Sequence, residues 1–310
     1  MRILLLGANG QLGRLLRTAL APLGEVVAAT REGRLADGTP ALRADLADPS
    51  GLAAALDAGA ADLIVNAAAY TAVDKAESEP KRADRINHRA VAEIGEWAAR
   101  HGARVVHYST DYVFDGRADR PYREDDPVGP LGVYGRSKLA GEEALRASGA
   151  AHLILRTAWV YAAEGHNFLR TMLRLAGERD ELRIVADQIG SPTPAGLIAR
   201  VSVELIAQWQ AAAPERRASL QGTYHLTAAG RCSWYAFAEA IFERAEAAGL
   251  IVRRPRLVAI GSAEYPTPAR RPAWSVLDCE RLQTRFGLHL PAWEQGLREV
   301  VDALAAARSA

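Results

Sequence analysis

The sequence predicts an α/β fold, a doubly wound parallel sheet with a smaller C-terminal α/β domain. Three observations predict it. Glycines at 7, 10 and 13 stand between a clean apolar strand and a clean helical pattern. Short apolar runs then alternate with amphipathic helical stretches through about residue 160, the pattern of a parallel sheet with helices on both faces. Beyond that point the alternation lapses, so residues 1–160 read as the sheet domain, completed by parts of 182–222, and residues 161–310 as mainly a substrate-binding domain. With 310 residues, 49% hydrophobic and 24% charged, the chain can bury a large core.

Met1 to Leu6 is the first strand, and Gly7-Ala8-Asn9-Gly10-Gln11-Leu12-Gly13 follows it directly, ahead of Leu15, Leu16, Ala19 and Leu20 at helical spacing. Glycines so placed allow a tight turn, close backbone approach to a pyrophosphate and close helix-on-strand packing, with the phosphates facing helix N-terminal amides. This is a dinucleotide loop. Gly24 to Thr30 supplies the second strand, tipped by Arg31 where a site for NAD usually carries an acid. Arg31 suits a 2′-phosphate, so NADPH is the expected cofactor and NADH the alternative, with Glu32 one residue on. Ala41 to Leu46 reads as a third strand whose Asp45 and Leu46 would meet the adenine; Asp45 and Asp48 serve equally well to begin the next helix.

Asp62 to Asn66 is the fourth strand. Ala67, Ala68 and Ala69 after it are small enough for the backbone to approach a cofactor, and Tyr70, Thr71, Val73 and Asp74 can face cofactor and substrate. Lys75, Glu77, Glu79 and Lys81 read as solvated charges at a helix entry. Arg82 to His101 is a long amphipathic helix stopped by Gly102. Val105-Val106-His107-Tyr108 is a buried strand that delivers Ser109 and Thr110 to its carboxyl end.

Asp111 to Val133 is a loop long enough to fold over a site, with Asp111, Tyr112 and Phe114 as its inward members. Gly132 to Ser148 follows as a helix carrying Tyr134 and Lys138 one turn apart on one face. A tyrosine, with an ordinary pKa of roughly 10, donates protons readily near neutrality only where its phenolate is favoured, and an adjacent cation does that. Of the 38 basic residues only Lys75, Lys81 and Lys138 are lysine. Lysine's compact charge and adjustable pKa suit a proton relay better than arginine's fork.

Ala151 to Thr157 is a further strand ending at Trp159, which either stacks on a substrate ring or packs the core. Asp187 to Pro194 is a polar loop able to bind a ligand. Ala195 to Ala212 and Ser233 to Ala248 are helices, the latter capped by Ser233, with strand Thr223 to Leu226 between them. Arg270-Arg271 is either an anion-recognition pair or surface charge. Trp293 to Ala307 is a closing amphipathic helix.

The formal net charge of +1, with arginines interspersed among acids, excludes a general nucleic-acid binder. The apolar start is too short for a membrane span and no later run reaches about 18 apolar residues, so no membrane partner is expected and the cytoplasm is the expected location. Cys232 and Cys279 match no metal spacing and are expected as free buried thiols.

Taken together, the Gly7–Gly13 loop, Asn66 to Glu77, Ser109-Thr110-Asp111-Tyr112-Val113-Phe114 and Tyr134-Gly135-Arg136-Ser137-Lys138-Leu139-Ala140-Gly141-Glu142 resemble the dTDP-4-dehydrorhamnose reductases of the extended short-chain dehydrogenase/reductase superfamily. Arg156 to Tyr161, Asp187 to Thr193, Gly222 to Leu226 and Arg270-Arg271-Pro272 extend the likeness in family order. The resemblance implies a Rossmann fold and NAD(P)H-dependent reduction of the C4 ketone of dTDP-4-dehydro-L-rhamnose, for cell-surface polysaccharide. It makes Thr110, Tyr134 and Lys138 the catalytic triad, and Tyr112, Trp159 and Arg271 contacts to the sugar nucleotide. Some members are dimers bridged by Mg²⁺ through a carboxylate in the first helix; Leu15 stands there in this chain, so no metal site is expected, and the chain is expected as a monomer or homodimer. Two other readings keep the same motifs: a sugar-nucleotide epimerase or dehydratase that recycles its cofactor, and a regulatory subunit resembling the methionine adenosyltransferase β-subunit. Net cofactor consumption separates the first, and retention of all three triad residues weighs against the second.

Overall fold

The computed structural model describes residues 1–309. Seven parallel strands form the central sheet: β1 (Arg2–Leu6), β2 (Glu25–Thr30), β3 (Leu42–Arg43), β4 (Leu63–Asn66), β5 (Arg104–Thr110), β6 (Ala151–Thr157) and β7 (Gly222–His225), in spatial order β7-β6-β5-β4-β1-β2-β3. The order reverses between β1 and β4. In open α/β sheets a ligand crevice opens at that switch point, outside the strands' carboxyl ends. The register lays Leu6, Asn66 and His107 side by side near that end.

Strands buried on both faces read as continuous apolar runs, and Ile3-Leu4-Leu5-Leu6 alternates between two cores. Leu4, Leu6, Ile64 and Val105 pack under the Pro49–Gly59, Ala90–His101 and Val133–Ala147 helices. Ile3, Leu5, Val65 and Val106 pack under the Gln11–Ala19 and Ala195–Ala211 helices, in a core that continues into the C-terminal helix Trp293–Ser309. The strand that closes the sheet on the β6 side is β7, Gly222–His225. Outside the sheet, Glu181–Val185 pairs in parallel with Arg256–Ile260, and two short ladders tie Val160–Tyr161 to Thr193–Pro194 and Ile189–Gly190 to Cys232–Ser233.

Two expected elements differ. The third strand is two residues long, because at the sheet edge only Leu42 and Arg43 find ladder partners on β2. The long helix is three consecutive segments, Pro80–Asp84, a π turn at Arg85–Arg89 and Ala90–His101. Gly102 ends it in the left-handed region at φ 66°. Cys232 and Cys279 are buried free thiols, and burial pushes both above the ordinary thiol range. No helix among the described residues is long and apolar enough to cross a membrane.

Candidate active site

The loops after β1 and β4 touch at the switch point. Gly7 turns through φ 82°, and a Cβ there would stand 2.8 Å from the Ala68 nitrogen. A Cβ on Gly13 would stand 2.1 Å from the Gly7 carbonyl oxygen. Only hydrogen fits at either place. Gly10 enters the Gln11–Ala19 helix with extended backbone and no capping side chain, so the first-turn amides are left uncovered for an anion. This cradle fits a dinucleotide pyrophosphate.

The side chains around the cradle hold it in place. Asn9 donates to the Arg34 carbonyl (2.9 Å) and accepts from the Ala36 amide (3.0 Å). Gln11 donates to the Val160 carbonyl at 3.1 Å and accepts from Asn167 at 2.8 Å. Leu12 is half-buried against the core. Arg31 lies exposed at the tip of β2 and pairs with Glu32 at 2.6 Å. Leu46 is buried and Asp45 accepts from the Ala47 amide at 2.9 Å, while Asp48 caps the Pro49–Gly59 helix.

Ala67, Ala68 and Ala69 are half-buried beside that cradle. The buried Asn87, in the π turn, accepts from the Tyr70 amide (2.8 Å) and donates to the Tyr70 carbonyl and Ser137 Oγ (both 3.0 Å). It binds the β4 loop to the Val133–Ala147 helix. Tyr70 donates its hydroxyl to Glu79 at 2.9 Å, and Lys75 pairs with Glu79 at the same distance. Glu77 accepts from the Val133 amide at 2.7 Å, capping the helix that carries Tyr134. Glu77 and Glu79 are therefore bonded groups and not the solvated charges expected, because the Val133 amide, 56 residues on, reaches Glu77 and the nearby Tyr70 and Lys75 reach Glu79. Thr71 is exposed and Val73 opens the short Val73–Ala76 helix.

Thr110 ends β5, donating to Asp111 Oδ1 at 3.0 Å and accepting from the Tyr112 amide at 3.2 Å. Tyr134 stands edge-on to Tyr112, ring centroids 5.8 Å apart. Burial pushes its phenol up to about 12, against a hydrogen bond with Thr110 that lowers it, and the nearby Asp111 raises it further. Thr110 and Tyr134 are thus brought together. Lys138, 2% exposed, donates to the Tyr108 carbonyl at 2.6 Å and lies 3.2 Å from His107 Nε2. Burial lowers its ammonium to about 8, opposed by Glu142. Asp111 is buried with one carboxyl oxygen unpartnered, and burial raises it to about 7.

Arg271 pairs with Asp74 at 2.7 Å, so two residues singled out from distant segments meet. Arg271 also lines a cavity of about 360 Å³ with Phe168, Gln188, Trp234 and Tyr265. Trp159 takes a left-handed backbone (φ 47°) and stacks on Trp234, ring centroids 3.5 Å apart. One face of its indole is occupied by protein. On Gly190, a Cβ would come within 2.4 Å of the same ring.

Four residues carry site structure that no sequence pattern announced as such: Asn66, Asn87, His107 and Glu142. The available signal was a polar residue in an apolar strand for Asn66 and His107 and, for Glu142, its place at the end of the Tyr134–Glu142 motif; the helical Asn87 gave none. Among the described residues, no cluster of three His, Cys, Asp or Glu side chains is placed to hold a metal, and Leu15 is 40% exposed on the first helix.

The RmlD substrate binding domain family matches residues 1–306. The dTDP-4-dehydrorhamnose reductase of Escherichia coli K12 is 46% identical over 304 residues, covering 98% of each chain. That of Burkholderia thailandensis is 48% identical over 297 residues, covering 94% of this chain and 95% of the relative. Among solved structures, the dTDP-4-dehydrorhamnose reductase of Clostridium acetobutylicum superposes with a TM-score of 0.86 at 35% identity, covering 98% of this chain and 99% of that one. The Bacillus anthracis enzyme, solved in complex with NADP, superposes with a TM-score of 0.85 at 33% identity, covering 96% and 98%. The chain belongs to the dTDP-4-dehydrorhamnose reductase family.

Proposed function

We propose that the protein reduces the C4 ketone of dTDP-4-dehydro-L-rhamnose to dTDP-L-rhamnose with NADPH, or with NADH in its place. The observation that supports this reading best is Tyr134 standing at Thr110, at the carboxyl end of β5, with Lys138 one turn along the same helix and the Gly7–Gly13 cradle at the switch point. A reduced nicotinamide bound there supplies hydride to the ketone carbon.

The chain's own groups supply the rest. Gly7, Gly10 and Gly13 let the backbone close on the pyrophosphate, Arg31, exposed and paired with its neighbour Glu32, would turn to a 2′-phosphate, and Lys138 would hold the nicotinamide ribose. Tyr134 gives its phenolic proton to the ketone oxygen, and Thr110 hydrogen-bonds that oxygen as charge develops. Because burial holds the phenol well above neutrality, the proton moves only when the oxygen it faces becomes strongly basic, as it does on reduction. Arg271, braced by Asp74, and the cavity beside it are suited to the nucleotide end of the substrate, a planar base flanked by a diphosphate. Tyr112 and Trp159 would frame the sugar.

The test is ketone-dependent oxidation of NADPH by purified protein, in wild type and Tyr134→Phe. One NADPH consumed per ketosugar in the wild type, and a loss of about a hundredfold or more in the variant, is expected. Unchanged turnover in the variant, or conversion without net oxidation of the coenzyme, refutes the assignment.

A further inference from the structure

Beneath the helix that carries Tyr134 runs a line of three buried polar side chains that ends on Lys138, and the reaction as derived leaves the first two without a role. Asn66 ends β4, His107 lies beside it in β5, and Lys138 comes from the helix above; their exposures are 1%, 0% and 2%. Buried groups must satisfy one another without water. The Ala68 amide, a backbone donor that cannot rotate, points at Asn66 Oδ1 from 3.2 Å. That fixes the side-chain amide, so its NH₂ faces His107 Nδ1 at 3.1 Å. Nδ1 therefore accepts. A neutral imidazole accepting at Nδ1 carries its hydrogen on Nε2.

Nε2 stands 3.2 Å from Lys138 Nζ, whose other partner is the Tyr108 carbonyl at 2.6 Å. An ammonium has three donors and no lone pair, so it would meet an N–H with an N–H. A neutral amine can accept from His107 and donate to Tyr108 at once. We infer that His107, held by Asn66 with its hydrogen on Nε2, is a positioning residue that favours the neutral amine form of Lys138 in the resting site.

Burial itself disfavours the Lys138 ammonium, and the surrounding charges leave room for the His107 contact to add to it. On the helix, Glu142 lies one turn beyond Lys138 and favours the ammonium, but its carboxylate is engaged by Arg156 from β6 and Ser109 from β5. Asp111, after β5, bears on Tyr134, and the Tyr108 hydroxyl is donated to Ser202. In the π turn, Arg85 is engaged with Glu93, and Asn87 reaches Ser137. Burial holds His107 well below the usual imidazole range, in keeping with a neutral ring. A lysine that binds its proton weakly at rest binds it tightly once Tyr134 has become a phenolate, taking up from solvent the one proton that the reduction consumes and passing it back to Tyr134. Its use in catalysis rests on the reductase reading; the contact itself does not.

Two measurements on the coenzyme-free protein test this. Long-range ¹H–¹⁵N spectra report which imidazole nitrogen of His107 carries hydrogen in the wild type, and the structure requires Nε2. With lysine ¹³C-labelled at Cε there are only Lys75, Lys81 and Lys138 to assign. Lys138 should titrate at least about one pH unit below the other two. In His107→Gln the amide turns its oxygen to Lys138, replacing a donor by an acceptor, and the Lys138 midpoint should rise by about one unit or more. Hydrogen on Nδ1, or a Lys138 midpoint unmoved by the substitution, overturns the inference. The tautomer is read in wild-type protein, so the result stands whether or not the variant folds. Neither measurement involves turnover, so either result leaves the reductase assignment to its own assay.

Discussion

Replacing Glu142 by glutamine should destabilise the protein far more than a one-atom change suggests. Glu142 is fully buried on the helix that carries Tyr134 and Lys138. It accepts from Arg156 Nε (2.9 Å) and Nη2 (2.7 Å), from Ser109 Oγ (2.5 Å) and from Arg146 (3.2 Å). The pair thus pins the helix to β5 beside Thr110 and to β6. Arg156 is itself only 3% exposed, so removing the carboxylate leaves a buried guanidinium uncompensated, at a cost of about 3–5 kcal/mol. Against a typical total of roughly 5–15 kcal/mol that is a large fraction. The double variant Glu142→Leu, Arg156→Met removes both charges and should be less destabilised than the single one. Urea unfolding of the three proteins measures this. A loss below about 1 kcal/mol in Glu142→Gln, or a double variant worse than the single, refutes the reasoning. The pH dependence follows with definite sign. Burial raises the Glu142 carboxyl, but Arg156 outweighs it and the folded value lies below the ordinary one. Its contribution is therefore present above the unfolded pKa of about 4.3 and is lost as pH falls through the folded value.

Gly13→Ala should weaken NADPH binding at least about tenfold and cost about 1–3 kcal/mol of stability, since its Cβ would stand 2.1 Å from the Gly7 oxygen; unchanged calorimetric affinity would contradict the cradle. Asp111 is raised to about 7 by burial, so its share of stability is full below about pH 4 and is lost as pH rises past 7. Asp111→Asn should flatten that decline in melting temperature between pH 5 and about 8, and an unaltered slope would show the carboxyl to be ordinary. Arg271→Ala should raise KM for the sugar nucleotide at least about tenfold while leaving NADPH affinity unchanged, read by steady-state kinetics and calorimetry; loss of both would place Arg271 in general folding instead.

What the sequence made legible was local. The triplet at 7, 10 and 13 and the four-residue step from Tyr134 to Lys138 carry their geometry in their spacing, and strand-helix alternation gives the sheet. Contacts between distant segments were not legible. Glu77 read as a solvated charge because Val133, whose amide it caps, lies 56 residues away. Sequence alone leaves Trp159 open between stacking on a ligand and packing, and the ring that covers one of its faces, Trp234, belongs to another element altogether. The expected cation-phenol pair also looks different once folded. Lys138 turns its nitrogen to the Tyr108 carbonyl and to His107, two partners from the strand beneath the helix that spacing along one helix face cannot reveal.

A crystal structure of the complex with NADPH and the unreactive product dTDP-L-rhamnose tests the central claim most directly. The account predicts the product's C4 oxygen within about 2.6–3.2 Å of both the Tyr134 hydroxyl and Thr110 Oγ1, with the nicotinamide facing C4 and the nucleotide end beside Arg271. A sugar seated with its C4 oxygen away from Tyr134, or a nicotinamide lying elsewhere than beside Lys138, would contradict it.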